Sequence, residues 1–123
     1  MAGRKRFTKK QRQEVWAKYD GHCAYCGCEL DYKDMQVDHI ESVYRHEYLC
    51  DGMDVNVMDN YNPACRMCNF YKSTGTLKVF RMMLSGIIGR LKKIFIFRLA
   101  LKYGLISIND RRNIEFYFER ARK

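Results

Sequence analysis

Six cysteines stand in a chain of 123 residues, and four of them form two close pairs. Cys23-Ala24-Tyr25-Cys26 and Cys65-Arg66-Met67-Cys68 each leave two residues between the thiols. That spacing lets both sulfurs of a pair turn onto one ion, as in a tetrahedral zinc site with four cysteine ligands. The 38 residues between the pairs exceed the spacing of a compact zinc ribbon, so a sub-structure must be stapled inside them. The N-terminus is basic but no apolar signal core follows it, so secretion is not expected and the thiols should be reduced. Ala2 in place of glycine removes a myristoylation site. Cys28 competes as a ligand, although Cys26-Gly27-Cys28 is a poorer chelate, and Cys50 reads as a buried or idle thiol.

Charge frames the same region. Residues 1–20 hold seven basic and two acidic side chains, residues 21–64 two and nine, and residues 65–123 fourteen and three. The total of +9 suggests nucleic acid, an anionic membrane or an acidic partner. An acidic centre between basic flanks fits a cation site held between phosphate-contacting arms; ordinary solvated charge is the plainer alternative. No apolar run reaches the ~18 uncharged residues of a membrane span, since Arg98 and Lys102 interrupt Ile94–Ile108.

The elements that must position these residues follow from pattern. Thr8 is a good N-cap with Gln11 at its capping-box position, and a helix is expected over about 9–19, ended by Asp20-Gly21. Met35, Val37 and Ile40 suggest a short strand with Asp38-His39 at its end. Residues 41–57 read as a long connection with a turn at Asp51-Gly52. A second strand near 55–58, or only an ordered loop there, precedes the second cysteine pair. A short helix is expected from Cys65–Arg66 to about Ser73, and a second long one capped by Thr76 with Leu77, Phe80, Leu84, Ile87, Ile88 and Leu91 along one stripe. That stripe reads as core or dimer surface. A helix over 94–103 closes at Gly104, and Ile114, Phe116 and Phe118 alternate with polar neighbours as a terminal strand would. The boundaries expected are a core of residues 1–75 and a mostly helical extension of residues 76–123.

The string Cys23-Ala24-Tyr25-Cys26, Val37-Asp38-His39-Ile40, Asp59-Asn60 and Cys65-Arg66-Met67-Cys68-Asn69-Phe70-Tyr71-Lys72 resembles the HNH endonuclease family, in the manner of its small phage-type members. The resemblance covers about residues 20–73. It implies an α+β chain whose ββα-metal core is stapled by a structural four-cysteine zinc site. It also implies a DNA phosphodiester hydrolase leaving 3′-hydroxyl and 5′-phosphate ends. Under it His39 is the general base, Asp38 and Asn69 hold a magnesium or manganese ion, and Asn60 holds the loop that carries the histidine. The chemistry is consistent. A histidine titrating near neutrality can take a proton from water, and one hard cation with oxygen ligands can stabilise the leaving oxygen. Family members often carry histidine where Asn69 stands, and an asparagine oxygen favours magnesium or manganese over softer ions.

Alternatives remain open from sequence. Asn62 competes with Asn60 as the middle residue, Asn69 with a helix-capping role, and His46 with His39. His22 reads as a bystander or a neighbour of the zinc ligands. Lys72 together with Arg4, Lys5, Arg6, Lys9 and Lys10 is expected on phosphates. Two other functions compete with hydrolysis: a non-catalytic zinc module that binds nucleic acid, and a protein-binding inhibitor whose acidic centre mimics DNA. The expected partners are DNA and a targeting or packaging protein, with no membrane, in the cytoplasm of a bacterial host that a phage could supply with the gene.

Overall fold

The computed structural model describes residues 6–42, 56–109 and 113–121. The chain is α+β, with a two-stranded antiparallel sheet among helices. It divides into two compact units, residues 1–77 with 115–123, and Lys78–Ile114.

In the first unit, helix α1 spans Lys9–Ala17. Its start is a complete capping box: the Gln11 N–H donates to Thr8 Oγ1 at 3.1 Å and the Thr8 N–H donates to Gln11 Oε1 at 2.9 Å. It ends where Asp20 and Gly21 take positive φ. A Cβ on Gly21 would also press into the Trp16 ring, so glycine is required there twice over. Strand β1 spans Gln36–His39 and strand β2 spans Tyr61–Ala64, in the register Val37↔Pro63, Asp38↔Asn62 and His39↔Tyr61. Helix α2, Arg66–Lys72, begins at Cys65 and lies against β1.

The core cluster of this unit is Val15, Leu30, Met35, Val37 and Tyr61, with Phe7, Trp16 and Met58 packed against it. Lys18 fastens α1 to the second strand by donating to the carbonyls of Met58 and Tyr61 at 3.1 and 2.6 Å. Both strands are covered on both faces, which is why neither shows clean alternation in sequence.

Three expectations are corrected. The second strand lies at Tyr61–Ala64; residues 56–58 are not a strand, in keeping with the other expectation for that stretch, an ordered loop, and Met58–Asn60 form a 3-10 turn leading into the strand. Pro63 masked it in sequence; its missing N–H is harmless because its carbonyl accepts from Ala24 N–H on the outer side. The terminal segment is a helix, α6 over Tyr117–Ala121, not a strand. Phe116 and Phe118 are nonetheless both buried. They pack edge-on to Tyr25 at centroid distances of 5.3 and 6.0 Å. The first N–H groups of α6 donate to the Tyr25 and Ala24 carbonyls. These carbonyls supply the partners that a neighbouring strand would have supplied. The third correction is in the second unit, where the stripe from Leu77 to Leu91 is two helices, α3 over Leu77–Ser85 and α4 over Ile87–Leu91. Ser85 Oγ donates back to the Arg81 carbonyl, Gly86 follows, and Arg90 Nη2 takes up the Met83 carbonyl at 2.9 Å, so the break leaves its polar groups satisfied. Helix α5 spans Phe95–Lys102 and closes at Gly104 with φ +70°. Phe80 is buried, whereas Phe95 and Ile96 on α5 are mostly exposed. Among the described residues no helix is long and apolar enough to cross a membrane.

Candidate functional site

The four paired cysteines converge. The sulfurs of Cys23, Cys26, Cys65 and Cys68 all lie within 4.8 Å of one another. Four ligands at about 2.3 Å from a central zinc would stand ~3.8 Å apart, and Cys26 Sγ to Cys65 Sγ is 3.8 Å. The donor set therefore fits a tetrahedral metal ion such as zinc. Backbone amides already face the sulfurs: Cys65 N–H donates to Cys23 Sγ at 3.4 Å and Cys68 N–H to Cys65 Sγ at 3.5 Å. The Cys68 thiol hydrogen-bonded to its sulfur holds Cys23 down at about 4. The same bond raises Cys68. Gly27 makes the turn possible, with φ +80° and the Tyr117 ring where a Cβ would stand. Cys28 is not among the four, and Cys50 lies outside the described residues.

Asp38 and His39 are consecutive on β1 and turn to opposite faces. Asp38 faces α2 and the first cysteine loop. Its carboxylate accepts from the Tyr25 hydroxyl and pairs with Lys72 Nζ at 3.1 Å, with both side chains essentially buried. Burial pushes the Asp38 carboxyl upward, more than the neighbouring Lys72 ammonium and Tyr25 hydroxyl pull it down. Tyr25 is raised strongly, chiefly by burial and then by the carboxylate beside it.

Asn69, one turn before Lys72 on α2, donates to Gln36 Oε1 at 2.5 Å. Asp38 and Asn69 therefore share a face; the Asp38 carboxylate is taken up by Tyr25 and Lys72, while Asn69 makes its bond through the amide nitrogen. Lys72 is also placed differently from its expected role on a phosphate. It is 1% exposed, and its ammonium points inward to Asp38 and to the carbonyls of His39 and Ile40 at 3.1 and 3.3 Å.

His39 lies on the other face. Its Nε2 is 3.2 Å from Asn56 Oδ1, and its ring meets Tyr61 edge-on at 5.1 Å and Phe7 at 5.9 Å. It is 4% exposed. Asn60 grips Glu41, two residues beyond His39, accepting from its N–H and donating to its carbonyl, while the Asn60 carbonyl accepts from Ile40 N–H. Asn62 is fully buried opposite Asp38 and donates to the Tyr25 hydroxyl at 3.4 Å. The two asparagines left open by the sequence thus have separate surroundings. His22 stacks on Tyr117 and is not one of the four clustered ligands. His46 and the turn expected at Asp51-Gly52 lie outside the described residues, as do Arg4 and Lys5. Arg6, Lys9 and Lys10 are exposed near the start of α1.

Three contributors were not singled out from sequence. Gln36 could have been found, since it lies two residues before Asp38 and so shares its face. Phe7 and the Tyr25 hydroxyl carry no local signal, because their partners come from distant parts of the chain.

No protein-family model matches the chain, and no curated protein matches it. Among solved structures, the chain is similar to the crystal structure of the Type II-C Cas9 enzyme from Actinomyces naeslundii. The TM-score is 0.49 and the identity 24%, over 68% of this chain and 10% of that one. The chain therefore spans about a tenth of that enzyme's length.

Proposed function

We propose that the chain is an HNH-type endonuclease that hydrolyses DNA phosphodiester bonds, with a ββα-metal core, His39 as general base and the four cysteines holding a structural zinc ion. The observation that carries the reading is the grip of Asn60 on Glu41 at 2.9 and 3.0 Å, just beyond His39. It is the role the family resemblance gives its middle asparagine. In this reading, the strand pairing His39↔Tyr61 fixes the backbone that presents the imidazole. Nε2, now facing Asn56, is the atom that takes the proton from water. Phe7 packs beside the ring at 5.9 Å and, with Tyr61, holds it in an apolar setting.

The resemblance also assigns a magnesium or manganese ion to Asp38 and Asn69, which when bound would stabilise the leaving oxygen. The present arrangement does not accommodate it, because Lys72 and Tyr25 occupy the Asp38 carboxylate. DNA is the proposed partner, held by Arg6, Lys9 and Lys10 together with Arg4 and Lys5. Incubating supercoiled plasmid with magnesium or manganese, then with chelator, tests the reading. Metal-dependent nicking that His39→Ala abolishes supports it.

Two observations favour a second reading, a zinc-stapled module that binds nucleic acid without cutting it: His39 is 4% exposed, and the Asp38 carboxylate is filled by Lys72. Salt-sensitive DNA binding with no nicking under any divalent ion would select that reading.

A further inference from the structure

The residue that follows the cysteine helix inward has no assigned task beyond the expected phosphate contact, which its burial removes. Lys72 is among the largest fully buried side chains of the described residues, beside Phe80 and Phe116. A buried ammonium is costly unless it is paired and hydrogen-bonded. Here it faces both Asp38 oxygens, at 3.3 and 3.1 Å, and the carbonyls of His39 and Ile40. Those two carbonyls belong to the residue proposed as the base and to its successor. On the other side of the same segment, Asn60 bonds Ile40 through its carbonyl and Glu41 through its carboxamide. Residues 39–41 are therefore held between a lysine from α2 and an asparagine from the turn just before β2.

We infer that Lys72 is a positioning residue: its caged ammonium ties down the backbone of His39 and Ile40 and so fixes where the imidazole points. The inference rests on the proposed role of His39. Asp38 is the counter-charge that makes the burial of Lys72 tolerable, and Tyr25 holds that carboxylate in turn. An ammonium suits the task because it has three protons to divide among these acceptors, whereas a hydroxyl has one. A solvated lysine on the outer face of α2 would not restrain the strand at all.

The test uses the full chain with zinc bound. Lys72→Met keeps the stem and removes the charge. Because it strands the Asp38 carboxylate, the neutral double variant Asp38→Asn/Lys72→Met is measured beside it. Amide exchange at Ile40 and Glu41 and the imidazole resonances of His39 are read by NMR. The expected result is exchange faster by about tenfold, as loss of a hydrogen bond to a charged group allows, with Val37 unchanged and the His39 ring signals broadened or doubled. Nicking by Lys72→Met should lose kcat with KM kept, and Lys72→Arg should restore part of it. Parental exchange and a parental His39 spectrum in either folded variant would overturn the inference. The unmodified protein gives an independent reading: a slowly exchanging Lys72 ammonium resonance supports the cage, and a rapidly exchanging one overturns it. A parent that never nicks DNA overturns the proposed function, while exchange and spectrum still decide the tether.

Discussion

Asn60 holds Glu41 by both backbone groups, accepting its N–H at 2.9 Å and donating to its carbonyl at 3.0 Å. A carboxamide is the side chain that can do both at once, having an acceptor and a donor side by side. Aspartate keeps the acceptor and loses the donor; alanine loses both.

Asn60→Ala should therefore destabilise the fold by about 1–3 kcal/mol, the loss of two hydrogen bonds each worth ~0.5–1.5 kcal/mol net. Asn60→Asp should fall between it and the parent. Urea denaturation followed by circular dichroism measures both, and nicking should decline in the same order. An alanine variant as stable and active as the parent would remove Asn60 from the site.

His39→Ala should lower cleavage by roughly 10²–10⁴-fold, the contribution of a general base. Zinc content and DNA affinity should stay close to parental, since the ring bonds Asn56 and packs on Tyr61 and Phe7 rather than on the cysteine loops. Parental cleavage by this variant would move the search for a base to His46.

The cysteine site should hold one zinc per chain by elemental analysis. Binding at such sites is folding free energy, on the order of 10 kcal/mol. Cys26→Ser or Cys65→Ser should lower solubility and melt the first unit, and a strong chelator should do the same to the parent. A metal-free preparation that keeps its full near-ultraviolet dichroism would dispose of the structural role.

Acid should separate the ion pair from the cysteine site. The folded Asp38 carboxyl lies above its unfolded value because burial outweighs its partners. Its contribution to stability is complete below the unfolded value, about 3.9, and is lost as pH rises through the folded one. Metal binding has the opposite sign, since thiols must lose protons to ligate. Asp38→Asn alone should destabilise by about 3–5 kcal/mol through the stranded ammonium, and Asp38→Asn/Lys72→Met by much less. Denaturation of both variants between pH 5 and pH 8 (roughly the range of maximal stability) checks the order. A single variant no weaker than the double would contradict the buried pair.

DNA affinity should fall steeply with salt, with a slope of about −0.9 per phosphate neutralised on duplex DNA. Removing residues 1–6 should weaken binding evenly across sequences, because backbone contacts do not read bases. Extending the cut through Phe7 also strips a ring from His39 and Tyr61. Only the longer truncation should therefore speed modification of His39 by an imidazole reagent. Salt-independent affinity, measured by fluorescence anisotropy, would assign the basic arm to another partner.

Sequence carried the locally determined parts furthest. Thr8 with Gln11, Asp20-Gly21 and Gly104 each act within a few residues, and the helix limits near them agree with the structure. The cysteine spacing was legible because two thiols on one short turn have few geometric options. Strand β2 was not, since Tyr61-Asn62-Pro63-Ala64 is a strand only through its partners Gln36–His39 and Ala24. The terminal helix was missed for the same reason: alternation at Phe116 and Phe118 records burial against Tyr25, not pairing with a strand. At the candidate site the residue types were visible, but not that Lys72 turns inward, because a lysine near a helix end carries no mark of which acceptors await it.

The sheet joins its two strands across residues 40–60, a long connection for a pair of four-residue strands. Both ends of that connection are pinned, by the His39↔Tyr61 pairing and by the Asn60 grip. The two pins stand side by side, so they cannot fail separately. A slip of one residue between the strands would take His39 off Tyr61 and Asn60 off Glu41 together, and would turn Asp38 away from Lys72 at the same time.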